Sequence, residues 1–316
     1  MLKNYFKSAW RNLIGNKFYS TINISGLAVG LATGIMLLLW VQNEKSYDKF
    51  HEHYADIYKL SAHFNQDGKE TTWTDVPGPL AVYAATFPEV KSVVRIETES
   101  SGQVLSDKES RNIFANNNVA FVDNGFFSMF DFHLISGDRT SLFPNNNSMV
   151  ITQSTAKKLY GNMEVLGKIV QYYGSSFTVT GVLADFPENS SQQYDAIVPM
   201  DFCAAQFTAR GGNGDWKTID TDLGNFTFYT YVQLQPGADY SKIGNALTEA
   251  YKKARNGESN SRFELQNLAS VHLIGADGNT SALRMVQIFL LISILLLLIA
   301  GINYVNLSTA RSSIRA

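Results

Sequence analysis

Cysteine is almost absent from this sequence, because Cys203 is the only one among 316 residues. An internal disulfide is therefore excluded, and a folded domain must be held together by its own hydrophobic core. Residues 44–284 form a segment long enough to build the core of one or two ordinary domains.

Charged residues are missing from two long stretches, residues 18–43 and 285–310. A helix needs about 20 predominantly apolar residues to cross a bilayer core, so both stretches predict transmembrane helices. The first could instead be a cleaved signal peptide, in which small residues follow the apolar core. Here the small residues of 26–34 precede the apolar run 36–41, which favours an uncleaved anchor.

Acidic residues are absent from both ends of the chain. The first 17 residues carry four basic side chains, and the last six carry Arg311 and Arg315. All 28 acidic residues fall within 44–277, and residues 44–284 hold 20 basic ones, about eight negative charges net. Positive flanks stay in the cytoplasm. We therefore predict cytoplasmic termini and an exported middle segment.

Residues 1–17 predict an amphipathic helix. Its apolar side chains recur at helical spacing, whereas Lys3, Lys7 and Arg11 share the other face. That pattern is typical of a helix lying in the membrane interface, with basic residues toward anionic head groups. The alternative is a helix packed on a partner protein, also at the cytoplasmic surface.

Glycines mark one face of the first predicted span. Gly26, Gly30 and Gly34 are four residues apart, and small residues at this spacing allow close approach of two helices in lipid. We predict that they form a helix-packing face, which also favours a second copy of the chain as partner. Residues 42–58 are polar and predict a continuation of the same helix as a rigid stalk.

The exported segment predicts an α+β fold. Its alternating and helical patterns predict strands near 57–64, 90–97, 148–152, 176–184, 226–234 and 263–268, and helices near 79–87, 154–160 and 240–254. Residues 210–224 predict a surface loop. We interpret two lobes: one next to the membrane, built from both ends of the segment, and one inserted.

Candidate metal ligands crowd into one short stretch, at Asp48, His51, Glu52, His53 and Asp56. On the predicted stalk helix, however, two histidines two residues apart point in nearly opposite directions and cannot share an ion. A solvated face of the stalk is the favoured interpretation.

Catalytic motifs are equally scarce. Residues 161–168 resemble a phosphate loop, but five residues separate the glycines and Ile169 replaces the magnesium-binding hydroxyl, so a turn before a strand is favoured. No G-x-S-x-G motif occurs, and His63, His133 and His272 stand alone and are interpreted as structural. The acidic segment does not favour nucleic acid. We expect no catalytic, cofactor or metal residues and no enzyme activity.

Several stretches together resemble a known family. They are NYFKSAWRNL (4–13), INISGLAVG (22–30), SYDKFH (46–51), the motifs between residues 151 and 187, and NYVNLSTARS (303–312). In this order they resemble the permease subunits of MacB–FtsX-type ABC transporters, in versions common in Bacteroidetes-type bacteria.

The resemblance implies a layout. Two transmembrane helices, at 18–43 and 285–310, would flank a two-lobed mixed α/β periplasmic core domain at 44–284, following the N-terminal amphipathic helix. Residues 311–316, with Arg311 and Arg315, would begin the cytoplasmic segment that approaches an ATPase. Members of this family have at least four spans, so we expect the N-terminal portion of a longer, multi-pass permease of the bacterial inner membrane, or a truncated product.

The resemblance also implies partners. These are a cytoplasmic ABC ATPase subunit that binds ATP and magnesium, a second permease copy, membrane lipid and, in efflux relatives, a periplasmic adaptor and outer-membrane duct. Other relatives extract lipoproteins or activate cell-wall hydrolases. No cofactor is expected in the chain itself. A two-span sensor with a periplasmic ligand-binding domain stays open as an alternative, and so does an anchored periplasmic enzyme.

Overall fold

The computed structural model describes residues 17–66, 68–99, 104–107, 113–115 and 118–313. The chain divides into two compact units. One contains the chain up to Ser46 and from Thr280 onward, and the other is Tyr47–Asn279. The predicted amphipathic helix of residues 1–17 lies outside the described residues, apart from Lys17.

The helices of the described residues are α1 Lys17–Lys45, α2 Pro79–Ala84, α3 Phe126–Met129, α4 Gln153–Tyr160, α5 Met200–Ala209, α6 Tyr240–Ala254, α7 Leu268–Val271 and α8 Ser281–Ser313. The strands are β1 Ile57–Gln66, β2 Lys69–Trp73, β3 Val76–Pro77, β4 Val90–Glu99, β5 Leu105–Asp107, β6 Ile113–Phe114, β7 Val119–Val122, β8 Leu134–Gly137, β9 Ser148–Thr152, β10 Ile169–Tyr172, β11 Ser175–Leu183, β12 Ala196–Pro199, β13 Phe226–Leu234 and β14 Ser261–Asn267.

The described strands form one mixed sheet. Its order is β14-β1-β13-β4-β7-β12-β9-β11-β10-β5-β6, with β2 paired to β1, β3 to β13 and β8 to β11. Two neighbouring pairs, β9 with β11 and β7 with β12, are parallel. A mixed sheet with helices, flanked along the chain by two long apolar helices, confirms the predicted fold class.

Strands from both ends of the second unit lie side by side. β1 pairs with β14 and with β13, and β13 pairs with β4. The strands between residues 105 and 199 continue the sheet on its other side. The sheet runs without a break through the unit, and the division into two lobes stays a prediction.

Helix α6 shows why local patterns predict part of this fold. Ile243, Leu247 and Tyr251, four residues apart, are buried on one face. Burying a side chain of this size contributes roughly 1.5–3 kcal/mol. The Asp239 carboxylate caps the start of the helix by accepting the backbone N–H groups of Ser241 and Lys242. The predicted helix of 240–254 has the same bounds in the structure.

The same helix also covers the end of the sheet. β14 is the terminal strand on this side, and an open strand edge invites pairing with other chains. The backbone N–H of Phe263 instead donates to the Thr248 hydroxyl of α6, at 2.9 Å. Helix α6 therefore provides a hydrogen-bond acceptor for one backbone N–H of β14, the terminal strand.

The predicted stalk is wrong. Helix α1 ends at Lys45, and residues 46–56 form turns. Asp48 has a φ of 57°, a left-handed conformation that cannot continue a right-handed helix and that Asp tolerates better than most residues. Its N–H donates to the carbonyl of Asn189 at 2.9 Å. A tertiary hydrogen bond thus replaces the helical one.

Residues 210–224 form the predicted irregular segment, but part of it is not at the surface. Ile219 and Leu223 are buried and pack into the hydrophobic core. The Asp222 carboxylate holds the turn together by accepting the N–H groups of Gly224 and Asn225. The apolar side chains within this loop give it a structural role that its glycines and aspartates did not indicate.

Candidate functional site

The glycine face of α1 lies against α8. A Cβ built on Gly34 would lie 2.9 Å from Leu297, and one on Gly30 would lie 3.5 Å from the Cβ of Ala300. At Gly26 the nearest atom, the side-chain nitrogen of Asn303, is 3.9 Å away. The glycines thus face a helix of the same chain, so they no longer argue for a second copy, and their packing role stays a prediction.

Both long helices have the composition of membrane spans. Apolar windows long enough to cross a bilayer cover Ile24–Lys45 and Ser281–Val305. Only 11% and 17% of these windows are buried, which distinguishes them from the core helices of a soluble protein. The rings of Trp40 and Phe289 meet edge to face, with centroids 5.1 Å apart.

The predicted coupling residues fall at the edge of the described chain. Arg311 lies in the last turn of α8, and nothing is described of its side chain. Arg315 lies outside the described residues. The expected approach to an ATPase stays a prediction.

Residues 47–56, which we call the junction segment, connect the end of the first unit to β1. The Tyr47 ring stacks on His272, with parallel planes and centroids 3.4 Å apart. The Asp48 carboxylate accepts the Ser191 N–H at 2.8 Å. Burial raises the pKa of Asp48, against the lowering effects of Ser191 and of His272. Each such hydrogen bond contributes about 1 kcal/mol.

His51 is, with Asp48, one of the two most buried residues of the junction segment. It is 1% exposed, and its ring lies among Phe50, Phe130 and Phe132 at centroid distances of 4.1, 5.2 and 5.1 Å. Its Nδ1 accepts the backbone N–H of Asp131 at 2.9 Å, so this ring is neutral. Burial lowers the pKa of His51 to about 4, although the Asp131 carboxylate opposes the shift.

A partly buried lysine, Lys59, lies near the start of β1. The Lys59 ammonium is 4.2 Å from the ring centroid of Tyr229. Burial lowers the pKa of Lys59 to about 8, and Asp75 and Asp48 partly restore it. Burial likewise raises the pKa of Asp75, against the effect of Lys59. Asp75 and Asp48 therefore act electrostatically on the Lys59 ammonium.

Residues of β1, among them Ser61 and His63, line an open cavity of about 480 Å³. His63 at its floor is 6% exposed, and its two ring nitrogens lie 3.1 Å from the hydroxyls of Ser61 and Thr72. The carboxylates of Glu70 and Glu264 lie 3.6 and 3.4 Å from the same ring. The His63 ring thus contacts side chains of three strands, β1, β2 and β14. These contacts give this histidine a structural role.

The metal interpretation of residues 48–56 remains disfavoured, but for another reason than the one predicted. Asp48 and His51 are buried rather than on a solvated face, and they bind backbone groups of different loops. Within the described residues, no group of three acidic, histidine or cysteine side chains could hold a metal ion.

The glycines of residues 161–168 belong to turns. Gly161, with a φ of 73°, ends α4, and its N–H donates to the Lys157 carbonyl. Gly167 donates its N–H to the Val179 carbonyl just before β10. The predicted turn leading into a strand is confirmed.

A sequence-family model described as the MacB-like periplasmic core domain matches residues 20–250. This match covers more than half of the chain. The chain belongs to the MacB-like periplasmic core domain family. The match includes the first candidate membrane span, Ile24–Lys45, and the second, Ser281–Val305, lies beyond its end, so this family member is a membrane protein of the ABC-transporter permease type with a periplasmic domain. No curated protein matches the chain.

Solved structures resemble this MacB-like chain. A domain of a candidate permease protein from Porphyromonas gingivalis is 25% identical, with a TM-score of 0.56, and the alignment covers 69% of this chain and 92% of that one. The periplasmic region of MacB from Actinobacillus actinomycetemcomitans is 17% identical with a TM-score of 0.46, covering 67% and 90%. The extracellular domain of YknZ, a noncanonic ABC-type transporter from Gram-positive bacteria, is 16% identical with a TM-score of 0.47, covering 67% and 100%.

Sequence reasoning missed the junction segment. Its many polar residues favoured a solvated helix. Asp48 and His51 are nevertheless buried, and each forms a hydrogen bond with a residue 80 or more positions away. Phe50 beside His51 was the one local signal of burial. No local pattern could identify Asp131 or Ser191 as the partners.

Proposed function

We propose that this chain is the permease subunit of an ABC transporter and that it works without catalysing a reaction itself. A separate cytoplasmic subunit binds ATP and magnesium and hydrolyses the ATP, and its movement shifts the membrane helices. The periplasmic domain responds by changing position or shape. The observation that carries this proposal is the family match to residues 20–250, together with the two apolar helices α1 and α8.

The proposal includes further partners. A second permease copy completes the transporter, lipid surrounds the apolar faces of α1 and α8, and both chain termini lie in the cytoplasm. Outside the membrane, an adaptor and an outer-membrane duct would serve export, and lipoproteins or cell-wall enzymes would be the alternative clients. The acidic balance of residues 44–284 disfavours nucleic acid as a partner.

Co-purification tests the proposal. The full-length gene product is extracted from membranes and its partners are identified by mass spectrometry, after which ATP hydrolysis is measured with and without vanadate. We expect a partner with a Walker A motif and vanadate-sensitive hydrolysis. A variant of the partner that lacks the Walker A lysine is the matched control and should not hydrolyse ATP.

The rival function is a two-span sensor with a periplasmic ligand-binding domain. The open cavity over His63 is the observation in its favour, since a sensor needs a pocket for a ligand. If a complete, folded product brings down no ATPase, the permease proposal is wrong and the sensor becomes the leading account.

A further inference from the structure

The junction segment is fastened to the periplasmic domain at three separate places. Asp48 binds the loop at 189–191 through its N–H and its carboxylate. Asp131 donates its N–H to His51 and accepts the N–H of Glu52 at 2.8 Å. These two attachments involve different loops of the domain, so a rotation that releases one of them is resisted by the other.

The third attachment joins the junction segment to the chain that returns toward α8. The Tyr47 ring stacks on His272, which lies shortly before Thr280, where the first unit resumes. The Asn267 side chain donates to the carbonyl of Ala55 at 2.7 Å. The outgoing and the returning chain are therefore bound to each other inside the domain.

These contacts replace the stalk helix that the sequence predicts. Three attachments to different parts of the domain hold the junction segment more firmly than any one of them alone. The left-handed backbone at Asp48 aims its N–H and carboxylate at one loop. Asp48 and His51 are each 1% exposed.

We propose that Tyr47 and Asp48 are positioning residues that clamp the outgoing and returning chain to the loop at 189–191 and to the segment around His272, so that a change driven by ATP hydrolysis reaches these parts of the periplasmic domain. This inference rests on the proposed permease function and adds the residues through which it acts. Because the stack and the Asp48 bonds lie in one compact unit, their role can be separated from that of helix packing in the membrane.

Matched variants distinguish the loss of the clamp from a general loss of stability. Tyr47→Leu removes the aromatic stack, whereas Tyr47→Phe keeps it. Asp48→Gly removes the carboxylate but accepts the φ of 57° easily, whereas Asp48→Asn keeps both an acceptor and a residue that tolerates this conformation. Tyr240→Leu is the control for losing an aromatic pair elsewhere, because Tyr240 stacks with Tyr58 outside the junction segment.

The experiment uses the full-length permease with its co-purified ATPase. Hydrogen exchange of residues 189–192 and 261–274 is compared between the nucleotide-free and the vanadate-trapped complex, and ATP hydrolysis and the melting temperature are recorded for each variant. We expect Tyr47→Leu with Asp48→Gly to reduce the exchange response about fivefold or more, while hydrolysis persists. Tyr47→Phe, Asp48→Asn and Tyr240→Leu should respond like the wild type.

Every outcome of this experiment either supports or overturns the clamp. A folded, hydrolysing double variant with a wild-type exchange response overturns the clamp and leaves the permease function standing. A wild-type complex without ATPase activity overturns both. If the double variant does not fold, Tyr47→Leu alone is compared with Tyr47→Phe by the same measurement, and equal responses of these two variants again overturn the clamp.

Discussion

Lowering the pH should destabilise the protein through His51. This ring is 1% exposed, lies among three phenylalanines and accepts the N–H of Asp131, so the folded chain holds it neutral. Its pKa falls from the ordinary 6.5 to about 4. The unfolded chain therefore takes up the proton first as the pH falls. The stability from the neutral ring is fully present above about pH 6.5 and is lost as the pH falls toward 4.

The size of the effect follows from the two pKa values. The whole shift corresponds to about 3 kcal/mol of unfolding free energy, and about 2 kcal/mol of it is lost between pH 7 and pH 5. Such a loss is a large fraction of the 5–15 kcal/mol that is typical of folded domains.

The assay is denaturant unfolding of the purified chain in detergent at pH 7 and pH 5. His51→Gln keeps an acceptor but does not titrate, and His53→Gln is the matched control at a half-exposed neighbour. We expect the wild type and His53→Gln to lose about 2 kcal/mol more than His51→Gln over this range. Equal losses in all three proteins, or an NMR titration of His51 near pH 6.5, would refute the reasoning.

Three further predictions concern other parts of the chain. Gly34→Ala should destabilise the helix pair by about 1 kcal/mol, because its Cβ would lie 2.9 Å from Leu297. In Gly30→Ala the new Cβ would lie 3.5 Å from the Cβ of Ala300, an ordinary van der Waals distance, so this variant should be nearly neutral. Thermal melting in detergent ranks the two variants. Asp48→Asn should leave the melting temperature at pH 7 unchanged or higher, because burial raises the pKa of the Asp48 carboxyl; a clear drop would show that the charge stabilises the fold. Cys203 should react with maleimide at least about tenfold more slowly than a free thiol at pH 7, because burial and a neighbouring carboxylate raise its pKa; a rate equal to that of the denatured chain contradicts this.

Local patterns determined a good part of this fold. The bounds of α6 follow from burial on one face, which repeats every 3.6 residues in a helix. The bounds of β13 follow from its aromatic and β-branched run, which is buried at every residue from Thr230 to Leu234. The two long apolar helices follow from the absence of charge over a bilayer thickness. These features depend only on neighbours along the chain, so the sequence by itself sets them.

The tertiary structure alone decided how these parts meet. It placed β1 between β13 and β14, turned the glycine face of α1 toward α8, and replaced the predicted stalk by the clamped junction segment. The partner of Asp48 is 143 residues away, and those of His51 and Glu52 are about 80 away. Periodicity reports which face of an element is buried but not what covers it, because that choice is made by groups distant in sequence that come together only when the chain folds.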